Sequence, residues 1–259
     1  LTIQKGELAG LIGPNGAGKT TAFNLITGIY APTSGNVTFR GDKLAGLSPF
    51  EITKLGIART FQTAQVFGTM SVLENVMVGR HTKTGSGMIA SALSLGRMRR
   101  EEKQIRDTAW YYLDMVGLGD LAQQPAASVP IGTQRLLEIG RALATEPVVM
   151  LLDEPAAGLN TQETRALGHL IGTIRDRGIT VIIVEHDMEL VMDIADEILV
   201  LNFGSRLAWG TPEQIQSNPE VIEVYLGRDE WKRPLRLMVN RTSFFTLQHE
   251  KNTCLFYRT

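Results

Sequence analysis

At 259 residues, 43% of them hydrophobic and 20% charged, the chain has a globular composition and ample material for a core. Its 26 Lys and Arg nearly balance 27 Asp and Glu, so a net charge of −1 supplies no basic field for DNA or RNA. Apolar runs such as Val148-Val149-Met150-Leu151-Leu152 fall far short of the roughly 20 residues a membrane helix needs, and one cysteine, Cys254, excludes a disulfide framework within the chain.

The sequence shows no signal-peptide pattern, which makes a cytosolic protein the default expectation. It opens at Leu1, already inside a strand-like Leu1-Thr2-Ile3, and an N-terminal piece is expected to be missing. Leu8–Ile12 then reads as a short buried strand, and Thr21–Ile26 as a helix with apolar residues at helical spacing.

Between them, Gly13-Pro14-Asn15-Gly16-Ala17-Gly18-Lys19-Thr20 fits the phosphate-loop pattern G-x-x-x-x-G-K-[ST]. Strand, glycine loop and helix form the context in which that pattern works. The glycines let successive backbone N–H groups turn inward on phosphate oxygens, and the helix N-terminus adds its positive end. Lys19 is placed to reach the β- and γ-phosphates, and the Thr20 hydroxyl to ligate Mg²⁺. Gly13, Asn15, Gly16, Ala17, Gly18, Lys19, Thr20 and Thr21 are the nucleotide-binding candidates of this segment.

Further along, Val37–Phe39 and Gly56–Thr60 read as strands around a short helix from Pro49 to Lys54. Residues 69–128 read as mostly helical. Ser71 with Glu74 makes a capping box, a bend covers Thr84-Gly85-Ser86-Gly87, and a charged helix follows from Arg97 to Val116. From 133 onward the chain alternates: helices at 133–145, 161–177 and 188–195, strands at 147–152, 179–184 and 197–201. Ala166, Leu167, Leu170, Ile171 and Ile174 form one apolar stripe, with Gly178 at the C-cap. Alternating strands and helices imply an α/β fold with a mainly parallel sheet and an inserted all-helical segment.

Two strand ends carry chemistry. Val148–Leu152 runs into Asp153 and Glu154, at the C-terminal edge where α/β proteins bind ligands. Beside a phosphate loop, Asp153 fits the metal-holding aspartate and Glu154 the general base that polarises the attacking water. Val181–Val184 ends in Glu185-His186-Asp187, which puts His186 in position for the γ-phosphate or that water. Gln62 stands where the first α/β section meets the helical insert.

Together these residues resemble the nucleotide-binding subunit of an ATP-binding cassette (ABC) transporter. Gly13–Thr20 look like its Walker A loop, Gln62 like its Q-loop glutamine, and Val148–Glu154 like Walker B with the catalytic glutamate. Ala157-Gly158-Leu159-Asn160 look like the D-loop and His186 like the H-loop histidine, in matching order over residues 1–227. The resemblance implies a P-loop NTPase cassette with a RecA-like core at 1–65 and 129–227 and a helical sub-domain at 66–128. It also implies ATP and Mg²⁺ as cofactors, with Thr20, Gln62 and Asp153 at the metal, and Lys19, Glu154 and His186 in catalysis. Two such subunits would sandwich two ATP molecules head to tail, docked by their helical parts on transmembrane permease subunits at the cytoplasmic face of the membrane. A solute-binding protein outside the cell would act indirectly. Residues 228–259 read as an appended, loosely held tail of unknown role.

The chain departs from the family pattern twice. The signature segment reads Val129-Pro130-Ile131-Gly132-Thr133-Gln134, with Pro130 in place of a serine and Thr133 in place of the glutamine. Gly132 remains as the backbone contact to the γ-phosphate of a partner's ATP, and Thr133 is expected to cap the following helix or to touch phosphate. None of the twelve residues before Gly13 is aromatic, so the adenine-stacking ring of the family is absent from that stretch. Within the family, Ala58-Arg59-Thr60-Phe61-Gln62, Met70–Val76, the insert from Gly79 to Glu102 and Val224-Tyr225-Leu226-Gly227 look most like branched-chain amino acid importer ATPases of the LivG type. Relatives of that group serving urea, amides or other amino acids, and non-transport ABC ATPases, are the alternatives.

Overall fold

The computed structural model describes residues 2–82, 95–225 and 253–257. A six-stranded sheet forms the centre. Its strands are β2 (Leu8–Ile12), β5 (Ile57–Arg59), β6 (Val149–Asp153), β7 (Thr180–Val184), β8 (Glu197–Asn202) and β9 (Ser205–Gly210), in the spatial order β5-β6-β7-β2-β8-β9. All neighbours run parallel except β9, which returns antiparallel along β8. Strand β9 is not evident in the sequence, because its Ser-Arg-Leu-Ala-Trp-Gly run carries too little alternation to announce a strand.

Every residue of β2, β6 and β7 is buried, as expected of parallel strands covered on both faces. The period of two still sorts them. Leu8, Met150, Leu152, Val181 and Ile183 join one core, which also holds Val76, Leu113, Leu137, Leu143, Leu167 and Ile171. Those residues come from α3 (Val72–Gly79), α4 (Leu95–Met115), α5 (Ile131–Leu143) and α6 (Thr161–Asp176). Ala9, Leu11, Val149, Leu151, Ile182 and Val184 face the other way, toward Phe23 and Ile26 of α1 (Lys19–Ile26) and Ile52 of α2 (Pro49–Lys54).

A second sheet lies on that side, entirely antiparallel, in the order β1-β10-β3-β4. It consists of β1 (Thr2–Gln4), β3 (Asn36–Phe39), β4 (Asp42–Lys43) and β10 (Thr253–Tyr257). Strand β10 comes from the 228–259 segment: Thr2 pairs with Leu255 and Val37 with Phe256, so a five-residue strand fills the slot between β1 and β3. Its strand character comes from two neighbours far away in sequence. The rest of that segment, the Leu226-Gly227 ending and the bend at Thr84–Gly87 lie outside the described residues.

Helix starts follow local chemistry. Ser71 accepts from the Glu74 N–H while the Glu74 carboxylate accepts from the Ser71 N–H, the predicted box. Ser48 with Glu51 and Asn160 with Glu163 repeat it at α2 and α6. Two expectations are corrected. Helix α5 begins at Ile131 with Pro130 as its N-cap and no side-chain cap, so Thr133 lies inside the first turn and caps nothing. On α6, Ala166 faces solvent; the buried stripe runs through Leu167, Gly168, Ile171 and Ile174. Gly168 belongs there because α7 (Met188–Ile194) crosses so closely that a Cβ would stand 3.0 Å from Leu190. Two short helices unseen in the sequence, α8 (Pro212–Gln216) and α9 (Pro219–Tyr225), cover β8 and β9 through Ile215, Val221 and Tyr225.

Candidate functional site

Strand β2 delivers the chain to Gly13 at the C-terminal edge of the central sheet. A Cβ on Gly13 would stand 2.2 Å from the Leu201 carbonyl oxygen, so only glycine lets the loop turn past β8. Gly18 then caps α1 in the left-handed region (φ 103°) with no side-chain acceptor. The first N–H groups of α1 therefore have no side-chain cap, and the helix end offers donors to an anion. Asn15, Gly16, Thr20 and Thr21 are exposed, while Ala17 is buried and accepts from the Gly204 N–H through its carbonyl. The buried Lys19 ammonium donates to the carbonyls of Gly13 (2.7 Å) and Pro14 (3.1 Å), folding back across the loop.

The acids of β6 sit at the same edge. Asp153 is buried, and its Oδ2 accepts from Arg59 Nη2 at 2.7 Å. Glu154 breaks the strand with φ 49°, a left-handed conformation that a non-glycine residue holds only when its surroundings enforce it. Here its N–H donates to the Val184 carbonyl and its own carbonyl accepts from Arg135. The turn aims the carboxylate between two partners. Oε2 accepts from Gln62 Nε2 at 2.8 Å, and Oε1 lies 2.9 Å from His186 Nε2. Which of the two donates in that contact follows from the imidazole tautomer.

Gln62, Glu154 and His186, spread over more than 120 positions, are thus directly bonded, with Asp153 and its partner Arg59 in the adjoining strands. Gly132 is not in that group: it lies in the first turn of α5, where a Cβ would come 2.9 Å from Leu159. Among the described residues no cluster of three His, Cys, Asp or Glu stands ready for a metal ion. Asp153 and the Thr20 hydroxyl are oxygen donors that fit Mg²⁺ only in company with phosphate oxygens, the usual manner of binding this ion.

Three charged residues support the site in roles that their places in the sequence do not announce. Glu185 is buried and accepts from the N–H groups of Ala156 (2.6 Å) and His186 (3.1 Å), and burial raises its pKa above the usual carboxylate range. It ties the chain after Glu154 to the strand end that carries His186. Glu138 of α5, likewise raised by burial, accepts from the Gln65 N–H and pairs with Arg141 at 3.4 Å. Arg59 is the third. A charge set directly against an apolar strand is the one signal that would have flagged Glu185 and Arg59.

Comparison with known proteins agrees with this geometry. Residues 1–157 match the family described as ABC transporter, and residues 206–230 match the family described as branched-chain amino acid ATP-binding cassette transporter. The chain is 45% identical over 228 residues to the high-affinity branched-chain amino acid transport ATP-binding protein LivG of Escherichia coli (strain K12), covering 88% of this chain and 89% of that protein. Among solved structures, the ADP conformation of MJ1267, an ATP-binding cassette of an ABC transporter, is similar with a TM-score of 0.74 at 32% identity, over 87% of this chain and 90% of that one. A dimeric post-hydrolysis state of the cassette MJ0796 bound to ADP and Pi gives a TM-score of 0.70 at 27% identity, over 82% of this chain and 88% of that one. With a phosphate loop, a strand-end acid pair and a histidine gathered at one sheet edge, the chain belongs to the ABC transporter family as an ATP-binding, ATP-hydrolysing cassette.

Proposed function

We propose that this cassette is the ATPase subunit of an importer for branched-chain amino acids, acting at the cytoplasmic face of the membrane against transmembrane permease subunits. The observation that carries the chemistry is the Glu154 carboxylate, held between Gln62 and His186. Glu154 is the base that takes a proton from the attacking water. His186, in contact with the carboxylate through Nε2, faces the γ-phosphate in the working complex. Lys19 leaves its carbonyl partners for the β- and γ-phosphates, while backbone N–H groups from Asn15 to Thr21 hold the rest. Thr20, Gln62 and Asp153 would hold Mg²⁺ beside the phosphates, where the ion would offset their charge.

Residues 1–65 and 129–227 serve as the ATP-binding core and 66–128 as the sub-domain that docks on the permease. Two cassettes, identical or paralogous, pair head to tail, and Gly132 of each meets the ATP of the other. The dimeric MJ0796 cassette supports that arrangement. No helix among the described residues is long and apolar enough to cross a membrane. The solute enters by likeness: the match at 206–230 and the LivG relative both carry branched-chain amino acid transport in their names.

The test is recovery of the tagged chain from native membranes. A multi-span permease is expected to copurify, and in liposomes the complex should hydrolyse ATP faster when a binding protein loaded with leucine is present. Stimulation by urea or an amide in place of leucine would reassign the solute. Recovery without any membrane subunit would remove the transport reading.

A further inference from the structure

Arg59 holds more partners than a surface cation would. Its side chain is 7% exposed and that of Asp153 4%. Nη2 donates to Asp153 Oδ2 at 2.7 Å; Nη1 donates to Asn24 Oδ1 at 2.7 Å and to Thr27 Oγ1 at 3.3 Å. The guanidinium also lies 5.4 Å from the centre of the Phe23 ring and 5.1 Å from that of Phe61. One planar group therefore touches three segments. Asn24 stands one helical turn after Thr20 on α1, so the two share a face. Asp153 ends β6, and Phe61 directly precedes Gln62.

We propose that Arg59 is a positioning residue of the metal–phosphate site, locking the Asp153 carboxylate to the helix that carries Thr20. The inference rests on the reading of Asp153 and Thr20 as Mg²⁺ ligands. With Oδ2 committed to the guanidinium, Oδ1 is the oxygen left to face the ion. The Asn24 bond sets how far α1 stands from β6, and hence the gap between the two ligands. A buried ion pair is a weak device for stability alone, since well-packed apolar residues often do as well. A fork that reaches a carboxylate on one side and a carboxamide on the other does something apolar residues cannot. Lysine keeps the charge but is a compact point donor on a flexible stem, without the planar fork that aims separate N–H groups at each partner. The positive charge itself opposes a cation nearby; orientation and opposition thus pull metal affinity in opposite directions, which makes the sign of the effect diagnostic.

The experiment titrates Mg²⁺ against a fluorescent, non-hydrolysable ATP analogue bound to the full chain, with EDTA samples as the metal-free reference. Arg59→Lys and Arg59→Gln are expected to raise the Mg²⁺ concentration at half-saturation about tenfold, the usual scale for groups that orient metal ligands. Metal-free nucleotide affinity should stay within about twofold, because the phosphate loop is untouched. Asn24→Ala leaves the Asp153 pair in place, so it carries the test if the Arg59 variants fail to fold; it should shift half-saturation the same way, by less than the Arg59 variants do. An unchanged or lowered half-saturation, or equal weakening with and without metal, overturns the proposal. If the unaltered chain shows no Mg²⁺ dependence, the metal reading itself falls and takes this inference with it, an outcome distinct from metal-dependent binding that ignores Arg59.

Discussion

Oε1 of Glu154 lies 2.9 Å from Nε2 of His186, across 32 residues of sequence, and this contact joins the ends of two adjacent parallel strands into one reactive unit. The left-handed turn at Glu154 takes the chain out of the β6 pleat, and the carboxylate meets Gln62 and His186.

Glu154→Gln tests the base assignment. The amide keeps the size and one acceptor but takes no proton, so phosphate release should fall by about 10²–10⁴-fold. ATP binding should persist, and a nucleotide-bound dimer should accumulate on size-exclusion chromatography. Turnover at the original rate would remove Glu154 from the reaction.

Gly13→Ala tests the loop. A Cβ placed 2.2 Å from the Leu201 carbonyl must push either the loop or β8 aside. Overpacking of this kind destabilises by about 1–3 kcal/mol. Displaced N–H donors should weaken nucleotide binding further, read by equilibrium titration. Affinity equal to that of the original chain would mean that the loop geometry is not what grips phosphate.

Glu185→Ala probes the buried tie between the segment after Glu154 and the His186 strand end. Removing the carboxylate leaves the buried Ala156 N–H without its acceptor. Loss of about 1–3 kcal/mol in urea unfolding is expected. Glu185→Gln retains an acceptor oxygen and should restore most of it.

Stability should also depend on pH through Glu7. Its pKa is raised from 4.5 to about 7, chiefly by burial and further by the nearby Glu197 and Asp196, against a lowering bond from the Gln4 N–H. A carboxyl whose folded pKa is raised binds protons more tightly when folded. Its favourable contribution is therefore complete below about pH 4.5 and is lost as pH rises toward 7. Urea midpoints should fall between pH 5 and pH 8, and Glu7→Gln should flatten that slope. A Glu7→Gln profile that keeps the slope would assign it to other groups.

The phosphate loop, β6 with Asp153 and Glu154, and β7 with His186 were all legible from the chain. In each, the sequence signal is confined to about ten consecutive residues: an apolar run that ends in glycines or in charged groups. The capping boxes at Ser71 and at Asn160 are local in the same way, and side-chain oxygens three residues apart suffice to start those helices. Thr133 shows the limit. A residue of capping type one turn too late is overridden by Pro130, whose fixed φ and absent N–H suit the cap position without any side-chain bond.

What the sequence determined by itself was the identity of the reactive groups and the α/β alternation that carries them. Only the tertiary structure decided how they are supported: Arg59 beside Asp153 across 94 residues, Glu138 under Gln65 across 73, and β10 between β1 and β3. Such partners are invisible along the chain because a charged residue reads as solvent-exposed until strand order buries it. Strand order, in turn, is set by which apolar faces must be covered, and that is a property of the whole sheet.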